Sequence, residues 1–378
     1  MRIYQIAKPK NPKESLKSLG VDGGGVEIIA KKIDTLFFKI EALKSAGANI
    51  LKQEALALGA ELAVPAGTIT CEMKTVDAIL IATRSQLQIL SKKCLAQPFG
   101  LKEIGAVLRE FLSVKEYPLQ IMGVINANSD SFYSGSRFEE GRAIEKIHQM
   151  IEDGADIIDI GGVSSRPNSE GVSVEEEMRR VQPICDAIKK ENLSKGAVFS
   201  IDSYTPEVIE IALNSGFTII NDITGARDER VINLAKDFQA KLCIMHMQGT
   251  PKTMQISPEY ESVVDEVDSF FRQRLQKCEE LGVGREQIIL DVGIGFGKSL
   301  EHNVELLKAH AHFKHFGCEL LIGASRKSMI DKIIPTPVEE RLAGTLAIHL
   351  KAYERGANII RCHDVKEHIQ AFRVWGEI

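Results

Sequence analysis

The feature that most constrains this chain is an alternation that begins near residue 118 and runs to residue 378: eight short apolar segments, each followed by a longer stretch of helical periodicity. The segments are LQIMGVI (119–125), DIIDI (156–160), GAVFSID (196–202), FTIIN (217–221), KLCIMH (241–246), QIILD (287–291), ELLIG (319–323) and ANIIR (357–361). Most are continuously apolar, as strands buried on both faces are, and strands separated by helices pair in parallel. Eight βα units in roughly 260 residues match an α/β fold closed as a (β/α)8 TIM barrel; an open doubly wound sheet has fewer strands and a phosphate loop after the first. Helix starts support the register. Ser173 with Glu176 reads as a capping box, and Thr205-Pro206 and Thr336-Pro337 read as an N-cap followed by proline in the first turn.

Residues 1–112 lack this alternation. Apolar runs at 2–7, 36–40 and 78–82 interleave with helical stretches such as 47–59, which predicts a separate, smaller α/β domain of unassigned role. Residues 113–118, ending in Pro118, read as the linker, so the barrel is expected over 118–378. The balance of 47 basic against 52 acidic residues offers no broad positive field, which excludes nucleic acid as the main partner. No apolar run approaches the roughly 18 residues of a membrane span, and Lys8 and Pro9 interrupt any signal-peptide core, so a cytoplasmic protein with no membrane partner is expected. Seven cysteines without a CxxC pair read as reduced thiols. His310, His312 and His315 fall near a predicted helix end and read as solvated, dipole-complementing residues, since 310 and 312 do not share a helical face. Residues 108–112 and 270–275 read as amphipathic packing faces.

In a barrel the active site lies at the carboxyl ends of the strands, so the residues just after each apolar run are the informative ones. The strand ends supply Asn126, then Asp159 with Ser164, Ser165 and Arg166, then Asp202, Asn221, His246, Asp291, Ser325 with Arg326 and Lys327, and finally Arg361 with His363. Any one of these residue types caps turns; convergence from all eight strands marks a site. Asp202, Asn221, Asp291 and Lys327 offer acceptors, an amide and a cation for the edge of a flat polar heterocycle. Ser165, Arg166, Arg361 and His363, with Asn126 as an oxygen ligand, suit a polyphosphate and its magnesium ion. The glycine-rich DVGIGFGKS (291–299) is no nucleotide loop: a Walker A motif needs glycine where Val292 stands, and GxGxxG needs it where Lys298 stands. Its glycines are expected to let backbone approach a ligand beside Asp291.

The motifs IMGVINANSDSF (121–132), GADIIDIGGVSSRP (154–167), SIDSY (200–204), INDITGA (220–226), MHMQGTPKTMQ (245–255), DVGIGFGK (291–298), GASRKS (323–328) and RCHDV (361–365) together resemble, in order, the signature loops of the dihydropteroate synthase family. The resemblance implies a folate-pathway transferase, of the kind sulfonamides target, that joins 6-hydroxymethyl-7,8-dihydropterin diphosphate to 4-aminobenzoate and releases diphosphate with Mg2+. Carried over by residue, Asn126 becomes the metal ligand, and Ser165, Arg166, Arg361 and His363 hold the diphosphate. Asp202, Asn221, Asp291, Lys327 and Arg361 read the pterin, with Asp159 in the same polar shell. Phe132, Pro167, Phe296 and Ser328 line the aminobenzoate pocket. The resemblance also implies a homodimer, and a few longer members carry something like residues 1–112. Where the first loop usually has an aspartate this chain has Ser134, which leaves Asp130 as that loop's own carboxylate. The groups expected to act directly are therefore Asn126, Asp130, Lys327 and Arg361. Diphosphate is a good leaving group once neutralised, and an electron-rich dihydropterin stabilises the cation left behind, so an ionisation-first substitution is expected. Two rivals remain: a pterin-binding methyltransferase, which has no use for Arg166, Arg361 and His363, and an inactive pterin-binding or regulatory subunit.

Overall fold

The computed structural model describes residues 3–4, 8–9, 11–127, 136–163, 172–250, 253–254, 256 and 258–377, with backbone alone for 136–140. The chain divides into two compact units, Met1–Lys115 and Glu116–Ile378.

In the first unit, α1 (Pro12–Ser18) and α2 (Gly23–Ala30) precede β1 (Thr35–Lys44), α3 (Ser45–Ala57), β2 (Glu61–Ala63), β3 (Thr75–Thr83), α4 (Arg84–Cys94) and α5 (Leu101–Ser113). The strands form an antiparallel sheet in the order β1-β3-β2. Strand β3 alternates inward Val76, Ala78, Leu80 and Ala82 with outward Asp77 and Ile79, so one sheet face joins Leu51, Ala55, Leu87, Leu90 and Leu108 from α3, α4 and α5 in a core. The other face leaves Phe37 69% and Ile79 46% exposed. Thr83 and Gln86 close a reciprocal capping box at α4, fixing where β3 ends and the helix begins. The apolar stretch at 2–7 gives no strand at Ile3 and Tyr4; residues 2 and 5–7 lie outside the described residues.

The second unit is a closed barrel of eight parallel strands in the order β10-β11-β4-β5-β6-β7-β8-β9. Its elements are β4 (Gln120–Asn126), α6 (Ser136–Glu152), β5 (Ile157–Gly161), α7 (Val174–Glu191), β6 (Val198–Asp202), α8 (Pro206–Asn214), β7 (Ile219–Asp222), α9 (Glu229–Asp237), β8 (Lys241–Met245) and α10 (Val263–Leu281). They continue with β9 (Ile288–Asp291), α11 (Leu300–Lys308), β10 (Glu319–Ile322), α12 (Ser328–Ile333), α13 (Leu342–Glu354), β11 (Ile359–Cys362) and α14 (Val365–Glu377). All eight predicted strands are present. Their outward side chains, such as Ile158, Phe199, Ile220 and Leu290, pack with the helices in the large shell core. Met122, Ile157, Ile219, Cys243, Ile289, Leu321 and Ile359 form a second, enclosed cluster that fills the barrel interior. Truncating Ile157, Ile289 or Leu321 to alanine costs about 2–5 kcal/mol, because a closed barrel collapses poorly around the void.

Three local readings are corrected. Ser173 accepts from the Glu176 N–H as a cap should, and Thr205 holds the N-cap position with Pro206 in the first turn as expected, but its hydroxyl makes no cap bond and donates instead to the buried Glu177. Thr336-Pro337 opens a short 3-10 turn, Val338–Glu340, and the helix waits until Leu342. His310 and His315 are buried rather than solvated. They lie on the 3-10 segment His310–Phe316, where residues three apart share a face. The Nε2 atoms of His312 and His315 lie 2.9 and 2.6 Å from Asp268 Oδ1, while Arg272 takes Oδ2 at 2.6 Å. These bonds tie α10 to the segment before β10. No helix among the described residues is long and apolar enough to cross a membrane.

Candidate active site

The site follows from strand periodicity. Side chains two residues apart share a face, so one step beyond the apolar interior cluster each strand presents its next inward residue at the carboxyl end. Ile157 is followed by Asp159, Ile219 by Asn221, Ile289 by Asp291 and Ile359 by Arg361, while β6 presents Ser200 and then Asp202. The ladders keep these groups level, with Asp159 opposite Ser200, Asp202 opposite Asn221 and Met245 opposite Asp291. An apolar plug is thereby roofed by a layer of polar groups.

Arg361 organises that layer. Its Nε donates to Asp159 Oδ2 and its terminal nitrogen to Asp202 Oδ2, both at 2.6 Å, and the Asn221 amide donates to the same Asp159 oxygen at 3.0 Å. Asp159 is fully buried, and its Oδ1 has no hydrogen-bond partner among the described residues. Burial drives the Asp202 carboxyl upward, with Arg361 pulling the other way. Burial also opposes the charge of Arg361, but Asp159 and Asp202 outweigh it and hold the guanidinium above its ordinary value.

Across the mouth, Asp291 Oδ1 accepts from the Gly293 N–H at 2.8 Å, which orients the carboxylate. Burial raises this carboxyl and Lys327 lowers it. Lys327 donates to the Ile294 carbonyl and stands 4.4 Å over the Phe296 ring, a cation–π contact. Burial brings its pKa down to about 8. Gly293 and Gly297 have φ of +68° and +63°, and added Cβ atoms would sit 2.1 Å from the His246 carbonyl oxygen and 2.6 Å from that of Gln248. These two glycines therefore let the loop backbone pack closely against the residues after β8.

Ser325 and His363 form a separate pair. The Ser325 hydroxyl accepts from the His363 N–H at 3.3 Å and lies 2.9 Å from His363 Nδ1. Partial burial and Arg361 hold His363 below its ordinary pKa. Asn126 closes β4 beside Gly161, whose other neighbour is Asp202, and is half-buried. Ser328 opens α12 and is exposed. Arg326 turns to Asp364 at 2.7 and 3.0 Å and takes no part in the polar layer. Asp130, Phe132, Ser134, Ser164, Ser165, Arg166 and Pro167 lie outside the described residues.

Two buried charged groups near the mouth are missed by sequence reasoning. Lys298, 1% exposed, donates to the carbonyls of Phe296 and His246 at 2.9 and 3.1 Å. Its one signal in the sequence is a lysine ending a failed nucleotide motif. Glu177 is buried on α7 and accepts from Ser203 and Thr205 at 2.6 and 2.7 Å, in a stretch that reads as an ordinary acidic first turn.

The profile of the family described as pterin binding enzyme matches residues 122–363. The bifunctional dihydropteroate synthase/dihydropteroate reductase of Helicobacter pylori is 40% identical over 374 residues, 98% of this chain and 98% of its own. The dihydropteroate synthase of Escherichia coli is 43% identical over 255 residues, covering 67% of this chain and 89% of its own. A solved structure of Xanthomonas albilineans dihydropteroate synthase with 4-aminobenzoic acid has a TM-score of 0.64 and 34% identity, over 69% of this chain and 93% of that one.

Proposed function

This chain belongs to the pterin binding enzymes and, among them, to the dihydropteroate synthases, and on that premise we propose which of its residues carry the condensation of a dihydropterin diphosphate with 4-aminobenzoate. The observation that carries the reading is the polar layer of Asp159, Asp202, Asn221, Asp291 and Arg361 over the barrel's apolar plug. A pterin ring offers several N–H donors and acceptors on one edge. Asp291, fixed through one oxygen by Gly293, keeps its other oxygen for ring donors, and the unpartnered Asp159 Oδ1 is a second buried acceptor for the same edge. Asn221 and Lys327 complete that reading, and Phe296, with Phe132, Pro167 and Ser328, is assigned to the aminobenzoate.

The diphosphate is assigned to Ser165, Arg166, Arg361 and His363. The imidazole of His363 is assigned to a phosphoryl oxygen, and Arg361 answers the charge that builds as the carbon–oxygen bond breaks. The arylamine nitrogen then attacks the methylene carbon and loses its proton. The donor set suits magnesium: Asn126 supplies a neutral oxygen at the mouth, and Mg2+ is usually held by one or two protein oxygens with the substrate's phosphates. That ion, held at Asn126, would withdraw electron density from the leaving diphosphate. In the first loop, Asp130 is proposed as the carboxylate facing the developing cation, in place of the aspartate that Ser134 replaces. The active assembly is proposed to be a homodimer; Ile333 and Ile334 expose 60% and 61% of their surface, and sedimentation of the purified protein tests it.

The deciding experiment is diphosphate release by the full-length protein with both substrates and Mg2+. Diphosphate release accompanied by dihydropteroate formation when 4-aminobenzoate is present is expected; pterin binding without release would instead make the chain a binding subunit. A second activity is favoured by one observation. The H. pylori relative whose name includes a dihydropteroate reductase matches this chain through its first unit, whereas the E. coli synthase covers 67% of it. We infer that the full chain also reduces dihydropteroate at the expense of an added hydride donor. Equal cofactor oxidation by the full chain and by a chain starting at Ser113 would detach that activity from the first unit.

A further inference from the structure

Lys298 is buried without a carboxylate among its hydrogen-bond partners. Its ammonium has three protons, and the three acceptors are the Phe296 carbonyl at 2.9 Å, the His246 carbonyl at 3.1 Å and His246 Nδ1 at 3.0 Å. Two of these belong to the residue just after β8, and the third belongs to the tip of the loop after β9. The glycines of that loop already press their backbone onto the same strand end, so Lys298 sits where the two segments are in closest contact. The loop's other bonds reach different neighbours: Gly295 N–H donates to Asn303 at 2.8 Å, Tyr260 donates to the Gly297 carbonyl at 2.7 Å, and Lys327 holds the Ile294 carbonyl.

We propose that Lys298 is a positioning residue for the second substrate: it staples the Phe296 segment to the end of β8 and thereby sets the wall against which the aminobenzoate ring lies. The orientation of Asp291 does not depend on this staple, because its strand pairs with β8 and β10 and its carboxylate is held by Gly293; the Lys298 charge lowers that carboxyl too, but less than Lys327, Gly293 and Arg361 do. Loss of Lys298 therefore loosens one substrate site and spares the other, which a general loss of stability would not do. The staple also fixes a tautomer. Burial lowers Lys298 to about 7; below that pH Nδ1 accepts from the ammonium and the His246 proton resides on Nε2, while burial together with the neighbouring Lys298 holds the ring neutral, with a pKa of about 3.

The kinetic half of this inference rests on the synthase reading, and the geometric half does not, so two measurements on the full-length protein separate them. In Lys298→Met, KM for 4-aminobenzoate is expected to rise about tenfold, while KM for the pterin diphosphate and calorimetric affinity for the free pterin change less than twofold. Unchanged aminobenzoate KM, or a parallel rise in both constants, overturns the proposal. In the wild type, nitrogen-15 NMR of labelled histidine should show His246 as the Nε2–H tautomer, neutral at pH 5. An Nδ1–H tautomer, or titration near 6.5, overturns the staple even if the variant does not fold. A wild type that releases no diphosphate would bring down the synthase reading, and the tautomer would still decide the geometry.

Discussion

The two units of this chain bury different things. Among the described residues the first unit buries Ser45, Thr68 and Ser91 and no charged side chain, and its sheet leaves an apolar face with Phe37 in solvent. The barrel encloses Asp159, Glu177, Asp202, Asp222, Asp268, Asp291, Lys298 and Glu319, with five histidines besides. Enclosing an ion is unfavourable by several kcal/mol unless geometry and hydrogen bonds offset it, so a fold that does this repeatedly at one end of its strands gives up stability for a preformed polar surface. The contrast separates a unit held by ordinary apolar packing from one whose interior is divided between packing and chemistry.

The sharpest way to break that contrast is Arg361→Ala. It removes the cation shared by Asp159 and Asp202, and stranding buried carboxylates costs about 3–5 kcal/mol. Synthase turnover should fall below about 1% of wild type by the factor-of-ten arithmetic of a lost transition-state cation. Trp375 lies in α14 and is the only tryptophan, so its fluorescence follows the barrel alone. An unchanged urea midpoint of that signal would mean the layer is not under electrostatic strain. Next, Asp291→Asn should weaken pterin binding by about 10–100-fold in calorimetry, since an amide presents a donor where an acceptor is needed, a loss of about 1–3 kcal/mol. Near-normal affinity with intact circular dichroism would remove Asp291 from the pterin edge.

Acid should act on the barrel selectively. His246 and His310 are buried with pKa values of about 3 and about 4, below the ordinary 6.5, and the first unit has no histidine. A folded-state pKa that is depressed means stability fully present above pH 6.5 and lost as pH falls through that value towards 4 and below. Each histidine contributes at most about 1.4 kcal/mol per pH unit within the window. The Trp375 urea midpoint should therefore drop between pH 6.5 and 4.5, and a flat profile would contradict the burial of these rings. The smallest effect belongs to the exposed sheet face: Phe37→Ser should move the far-ultraviolet urea midpoint by no more than about 0.5 kcal/mol and leave turnover unchanged. A larger shift would mean that face is covered in solution.

The barrel is legible in the sequence because its strands end on their functional residues. Asp202, Asn221, Asp291 and Arg361 each close an apolar run, and the period of two that buries Ile157 or Ile289 carries the next inward residue to the mouth. What escapes a linear reading is set by tertiary contact. Lys298 means nothing in a linear motif until positive φ at Gly293, Gly295 and Gly297 folds the loop back onto β8. Thr205 has the sequence of a cap, yet a buried carboxylate 28 positions earlier competes for its hydroxyl and wins. The histidines near 312 look solvated only under helical geometry, and there the chain takes three residues per turn.

Arg361 stands 202 positions after Asp159 and 159 after Asp202, on the last strand to be synthesised. A ribosome that has delivered seven strands has made every acidic group of the polar layer and none of its central cation. Until β11 docks between β10 and β4, the nascent chain carries a sheet with two open edges and a patch of uncompensated carboxylates. Ring closure and charge neutralisation are thus one event, the latest in the chain's assembly. A product that stops before β11 has neither a closed barrel nor Arg361.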